Sequence, residues 1–330
     1  MSKSFTFSLS FRKMLLSICV FAAWQCHAAA SFRFTASAPA YEANAYLLES
    51  KEGWVLVDAL MLRDDLAPII ATIKNSKKPL NGVLITHPHV DHFAGIAWLQ
   101  AEFPKLSVYM TKASEKAMYE VHKDALASGW INVFGDQYPK TLTPNVVVIN
   151  DGQTLNVDGL IFKAHALGAG EAAEHIAYER VDTRQLFTGD ALVSSYVVYV
   201  GEGRSKALLA LYDKMETLVA ADYRVYPGHG GVQPISQVVA DNRKQVMTMR
   251  NIAMQYVQQS TEQLKTKRFT ADDIRHVGGF LSQRNSVVIL ATECPFKCLS
   301  QDIMCEDCWR KSRMNLTKIN KGHLALYLFE

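Results

Sequence analysis

Three imidazoles and a carboxylate fall within six residues, in Thr86-His87-Pro88-His89-Val90-Asp91-His92. Neutral imidazole and carboxylate are the usual ligands of zinc, and of iron or manganese where harder oxygen donors join them. His87 and His89 alternate with Pro88, so in an extended loop their rings point the same way. Asp91 and His92 follow a turn and can face a second position nearby. A lone histidine is more often a packed or surface residue. Three with an aspartate at this spacing read as a metal site.

The elements around the cluster place it on a loop. Residues 80–85 carry a Val-Leu-Ile run that reads as a buried strand ending at the cluster. The stretch from Phe93 reads as the start of a helix. A strand-to-helix loop in a layered α/β fold is a usual place for a site, because the scaffold is rigid and the loop is free to vary. Upstream, residues 32–60 alternate as a β-meander, with a turn at Glu52-Gly53 and a buried strand over 54–58. Residues 66–75 have helical spacing in Leu66, Ile69, Ile70 and Ile73. A strand over 106–110 and a helix over 112–127 follow. Residues 129–144, carrying Trp130, Phe134 and Tyr138, read as a packed surface loop, with a substrate-facing flap as the alternative. Residues 146–149 and 153–157 bracket Asp151-Gly152 as a hairpin. Residues 160–167 and 185–190 read as strands, and 205–220 as an amphipathic helix. A short strand over 223–226 leads into Pro227-Gly228-His229-Gly230-Gly231.

His87-x-His89-x-Asp91-His92 resembles the HxHxDH signature of the metallo-β-lactamase superfamily. The resemblance runs over residues 32–235 and implies an α/β (α+β) fold, an αββα sandwich with one or two metals at one edge. Within it, Asp58 matches the aspartate that supports the metal loop from behind, although a plain strand-end turn explains the residue equally well. Gly189-Asp190 matches the bridging aspartate and His229 the last ligand of the second metal. One position departs from the family. Aligning Gly168-Ala169-Gly170 with the usual Gly-x-Gly-His loop puts Glu171 where the third histidine stands, with His175 and then His165 as the alternatives.

The resemblance therefore implies a dinuclear centre. His87, His89 and Glu171 hold one ion, and Asp91, His92 and His229 the other, with Asp190 between them. The implied cofactors are two divalent ions, zinc first, with iron or manganese open because Glu171 is a harder ligand than imidazole. The implied chemistry is attack of metal-bound hydroxide on an ester, lactone, thioester or amide carbonyl, a β-lactam among them, with Asp91 as the catalytic residue that orients the water and carries its proton. An iron-dependent oxidoreductase of the same fold and a metal-binding protein without catalysis are the alternatives.

Composition limits the partners. The 330 residues hold 35 basic and 32 acidic side chains. Residues 1–30 contain Lys3, Arg12 and Lys13, no acidic residue, an apolar run over 14–24 and Ala28-Ala29-Ala30. They read as a secretory signal peptide cleaved near Ala30. Without them the chain carries equal numbers of basic and acidic residues, which makes no case for nucleic acid. The expectation is a periplasmic or secreted enzyme of a small-molecule substrate, with no stable membrane anchor. Residues 31–235 form the catalytic domain in this reading. Residues 236–285 are helices packing on it, the first over 236–267 with Val239, Val246, Met249, Ile252, Met254 and Tyr256 inward, the second opened by a capping box at 270–273. Residues 286–330 carry Cys294, Cys298, Cys305 and Cys308, which an oxidising compartment would pair in one or two disulfides.

Overall fold

The computed structural model describes residues 31–266. The expected leader, the capping box and the four-cysteine tail lie outside these residues. Two six-stranded sheets form the centre. The first joins β1 (Ser31–Thr35), β2 (Asn44–Glu49), β3 (Trp54–Val57), β4 (Leu80–Leu84), β5 (Val108–Met110) and β6 (Val146–Val148), in that order. Its first three strands are antiparallel and β3 to β6 run parallel. The second joins β7 (Thr154–Val157), β8 (Leu160–Gly168), β9 (His175–Arg180), β10 (Gln185–Gly189), β11 (Arg224–Pro227) and β12 (Gln233–Pro234). Only β10 and β11 are parallel there.

The layers follow from strand periodicity. Successive side chains of a strand face opposite ways. In β3, Val55 and Val57 enter the core between the sheets, with Leu84, Phe162, Tyr178 and Phe187. Trp54 and Leu56 enter the core under the helices of the first sheet. All four are buried, as expected of a strand covered on both faces. The covering helices there include α1 (Arg63–Ser76), α2 (Val90–Phe93), α3 (Ile96–Glu102) and α4 (Lys112–Ala127). Leu66, Ile69 and Ile73 of α1 fill that core at helical spacing. On the far side, α6 (Ser205–Leu218) and α7 (Ile235–Thr266) cover the second sheet through Leu208, Leu211, Tyr212, Val239 and Val246. The result is helix, sheet, sheet, helix, the αββα sandwich implied by the sequence.

Three local expectations change. The expected hairpin across Asp151-Gly152 does not form. β6 pairs in parallel with β5, and β7 pairs with β8 in the other sheet. The turn is where the chain passes between sheets, and periodicity cannot tell that from a hairpin. The stretch after Gly129 is a short helix, α5 (Trp130–Phe134), and a 3-10 turn rather than a loop, and Tyr138 is buried against His122. On α7, Val239 and Val246 are buried as expected, but Ile252 is 55% and Met254 43% exposed. Ala253 between them is buried on the same stripe as Val246, seven residues earlier, so Ile252 and Met254 lie to either side of the buried face. Among the described residues no helix is long and apolar enough to cross a membrane.

Candidate metal centre

Parallel pairing brings the donors to one edge. β3 and β4 run the same way, so Asp58 and the loop after Leu84 leave their sheet side by side. β10 and β11 do the same for Asp190 and His229. β9 is antiparallel to β10, so its start, not its end, meets that edge, and with it the Glu171 turn. Sites in open α/β layers lie outside the carboxyl ends of such strands. Cross-sheet bonds lock the two halves. Ile176 N–H donates to Thr86 O at 2.8 Å, and Tyr178 OH to Ile85 O at 3.0 Å. Asn44 Nδ2 donates to Pro227 O and Gly230 O on either side of His229.

Two donor sets result. His87, His89 and Glu171 form one, and Asp91, His92, Asp190 and His229 the other; within each set one ligand atom per residue lies within 4.8 Å of the rest. His89 Nδ1 is 2.9 Å from Glu171 Oε1, and His87 Nε2 is 3.8 Å from Oε2. His92 Nε2 is 3.4 Å from Asp190 Oδ1 and 3.5 Å from Asp91 Oδ2. His229 Nε2 is 3.2 Å from Asp190 Oδ2 and 3.3 Å from Asp91 Oδ2. Two glycines allow this density. A Cβ at Gly228 would strike Asp190 Oδ1, and one at Gly189, whose φ is +51°, would strike Thr86 Oγ1.

Hydrogen bonds behind the rings choose the tautomers. Asp58 accepts from Thr86 N–H at 2.9 Å and from its hydroxyl, and its Oδ2 is 3.0 Å from His92 Nδ1. A carboxylate accepts, so His92 Nδ1 keeps a proton and Nε2 is the nitrogen that faces the site. Thr86 spends its single hydroxyl proton on Asp58. It must therefore accept at His87 Nδ1, 3.0 Å away, which frees His87 Nε2 for the site. Asp58 thus braces the loop that carries the donors, one of the two roles the sequence left equal.

The electrostatics suit a cation. Burial lowers the His87 pKa well below that of free imidazole, and His92 adds to the effect. Burial also opposes charge on His92, yet Asp190, Asp91 and Asp58 outweigh it and raise its pKa well above the usual value. For His229, burial lowers and Asp190 and Asp91 raise, leaving it pushed up to about 10. Burial favours neutral Asp91 and Asp190, but the facing histidines hold both below the ordinary carboxylate range. The buried His87 Nε2, His92 Nε2, Glu171 Oε2 and Asp190 Oδ1 have no hydrogen-bond partner among the described residues. Each such atom costs about 1–3 kcal/mol unless something satisfies it. Lone pairs and carboxylate oxygens converging this way fit divalent cations.

The structure brings together all seven expected donors: His87, His89, Asp91, His92, Glu171, Asp190 and His229. Both alternatives to Glu171 stand apart. His175 Nε2 accepts from Ala172 N–H at 2.9 Å and its ring stacks on His87, while burial pushes its pKa down to about 3. His165 pairs with Glu179 at 2.7 Å on β8. Several neighbours were not legible in the sequence. Thr86 lay inside the motif without a donor's chemistry. Glu202 Oε1 is 2.9 Å from His89 Nε2. Tyr196 lies 5.5 Å from the His229 ring and Tyr199 6.1 Å from His89. Asn242 on α7 bonds both the N–H and the C=O of Val193, bracing the segment after Asp190. No local pattern marks these residues, because only the fold makes them neighbours.

The sequence profile of the metallo-beta-lactamase superfamily matches residues 38–229. Hydroxyacylglutathione hydrolase of Yersinia pestis (strain Pestoides F) is 26% identical over 226 residues, 65% of this chain and 77% of that protein. Its namesake in Haemophilus ducreyi is 32% identical over 162 residues, 49% of this chain and 56% of that protein. A beta-lactamase domain protein from Burkholderia ambifaria shares the fold, with a TM-score of 0.51 at 20% identity over 65% of this chain and 69% of that one. The profile covers more than half of the chain and ends on His229, the last donor of the second set, so this chain belongs to the metallo-β-lactamase superfamily of metal-binding hydrolases.

Proposed function

We propose that the chain is an exported dinuclear hydrolase of an activated acyl carbonyl, with thioesters as the leading substrate class. The observation that carries this is the pair of donor sets with Asp190 beside both. Asp190 lies 3.4 Å from His92 Nε2 in its own set, and its charge acts on His87, His89 and Glu171 in the other. His87, His89 and Glu171 would hold one ion and Asp91, His92 and His229 the second. The thioester preference is taken from the relatives named hydroxyacylglutathione hydrolase.

Divalent ions in these sets lower the pKa of bound water and polarise a carbonyl oxygen. The chain's own residues supply the rest. Asp91 orients the water with one carboxylate oxygen, takes its proton as the new C–O bond forms, and returns that proton to the leaving group as the acyl bond breaks. Asp58 and Thr86 keep His92 and His87 in one tautomer throughout. Tyr196 and Tyr199 stand against the outer ligands His229 and His89.

Protein purified without added metal, analysed for zinc, iron and manganese, and assayed on thioesters, esters, lactones and β-lactams tests the reading. Two ions and thioester hydrolysis abolished by a chelator are expected. Bound iron with oxygen uptake and no hydrolysis would replace the reading with an oxidoreductase, to which the hard Glu171 ligand is suited. Bound ions with neither activity would leave a metal-binding protein. Export belongs to the same proposal: the mature N-terminus from the cell envelope should start close to Ser31, and a cytosolic chain beginning at Met1 would refute it.

A further inference from the structure

We propose that Glu202 is a positioning residue that holds His89 in its ligating orientation, so that the segment between β10 and α6 governs occupancy of the first metal set. This rests on the dinuclear reading above.

A histidine ligates through one ring nitrogen, and the bond made by the other sets its tautomer and direction. His87 and His92 have such partners in Thr86 and Asp58, and both use Nε2 toward the site. His89 is turned the other way. Its Nδ1 faces Glu171 Oε1 at 2.9 Å, and its Nε2 faces Glu202 Oε1, also at 2.9 Å. A carboxylate can only accept, so Glu202 keeps the proton on Nε2. In the loaded site that leaves the Nδ1 lone pair for the ion.

Packing makes this tether matter more for His89 than for its neighbours. The side chains of His87 and His92 are wholly buried and cannot turn, whereas that of His89 is 16% exposed. Its ring touches Tyr199 edge-on at the solvent side. Glu202 is itself held, because Arg204 forms an ion pair with its Oε2. Arg204 directly precedes the first residue of α6, so the tether is anchored to the second sheet's helix layer while the ligand it holds belongs to the first sheet. Among the described residues, Glu202 bonds His89 and Arg204 and none of the other six donors. It acts through His89 alone.

The experiment titrates the metal-depleted full chain with zinc against a chromophoric chelator, for the wild type, Glu202→Ala and Glu202→Gln. The wild type should bind two ions. Glu202→Ala should weaken one of them about 10–100-fold and leave the other unchanged. Glu202→Gln retains an acceptor oxygen without the charge and should fall between. His229→Ala, which removes a donor of the second set, should lose the opposite ion and so identifies which set each step reports. Two ions bound by Glu202→Ala with wild-type affinities would overturn the inference and leave the dinuclear reading standing. A wild type that binds no ion would overturn that reading and this inference together.

Discussion

The Asp58 carboxylate and the His92 imidazole meet at 3.0 Å, Oδ2 to Nδ1, in the interior behind the metal centre. Asp58 has a left-handed backbone, with φ at +59°, which turns the chain out of β3 and aims the side chain at the loop after β4. The contact joins a strand end to a ligand 34 residues further on.

Asp58→Ala should free the His92 ring and strip Thr86 N–H of its acceptor. The unsatisfied donor should cost about 1–3 kcal/mol of stability, and the second set should lose about 10–100-fold in metal affinity. Thermal denaturation and chelator competition on one sample read both effects. Unchanged zinc affinity would show that Asp58 does not orient His92.

Glu171 and His175 make opposite predictions. Glu171→Ala should bind one ion fewer than the wild type. Glu171→His should keep both and shift preference toward zinc, because imidazole is the softer ligand. His175→Ala should keep both ions, yet lose about 1–3 kcal/mol as Ala172 N–H is left without its acceptor. Elemental analysis decides. Loss of an ion in His175→Ala, with both retained in Glu171→Ala, would move the donor four residues along the chain.

Gly228→Ala should mimic Asp190→Ala and His229→Ala. The added Cβ meets Asp190 Oδ1 and lies 2.8 Å from His92 Cε1, both in the second set. Metal content should drop to one ion and hydrolysis should fall steeply, with the circular dichroism spectrum unchanged. A fully active variant with two ions would contradict the packing described for this edge.

Asp158 predicts an acid-dependent stability difference. Its carboxylate accepts from Ser50 Oγ at 2.6 Å, Asn81 Nδ2 at 2.7 Å and Glu52 N–H at 2.9 Å, tying the β2–β3 turn and β4 to the β7–β8 turn of the other sheet. Burial raises its pKa, but these donors together outweigh it and lower it. The stability it adds is complete above the ordinary aspartate value of about 3.9 and is lost as pH falls through the lower folded value. Asp158→Asn, which tolerates the left-handed backbone there, should be less stable than the wild type at neutral pH. In acid the gap should close. A gap of equal size in urea titrations at both pH values would rule out this linkage.

The sequence by itself pointed to six of the seven candidate donors and left the seventh open among Glu171, His175 and His165. His87, His89, Asp91 and His92 are legible because ligands for one centre can come from one short loop, and because imidazoles this dense have no use in a core. Asp190 and His229 were legible beside glycines, where backbone and ligand must approach closely. Strand and helix types were legible wherever apolar periodicity was long, as in α1 and α6. Tertiary structure decided everything that depends on partners distant in the chain. It sent β6 and β7 to different sheets, since pairing is a property of two strands and not of the turn between them. It left Ile252 and Met254 exposed, because the face of α7 that packs runs through Val246 and Ala253 and they lie to either side of it. It separated Glu171 from His175, which share one turn and differ only in where the sheet edge aims them. And it supplied Thr86, Asp58 and Glu202 behind the three histidines of the loop, because ring orientation is set by hydrogen bonds that form only once the strands and the α6 layer have packed.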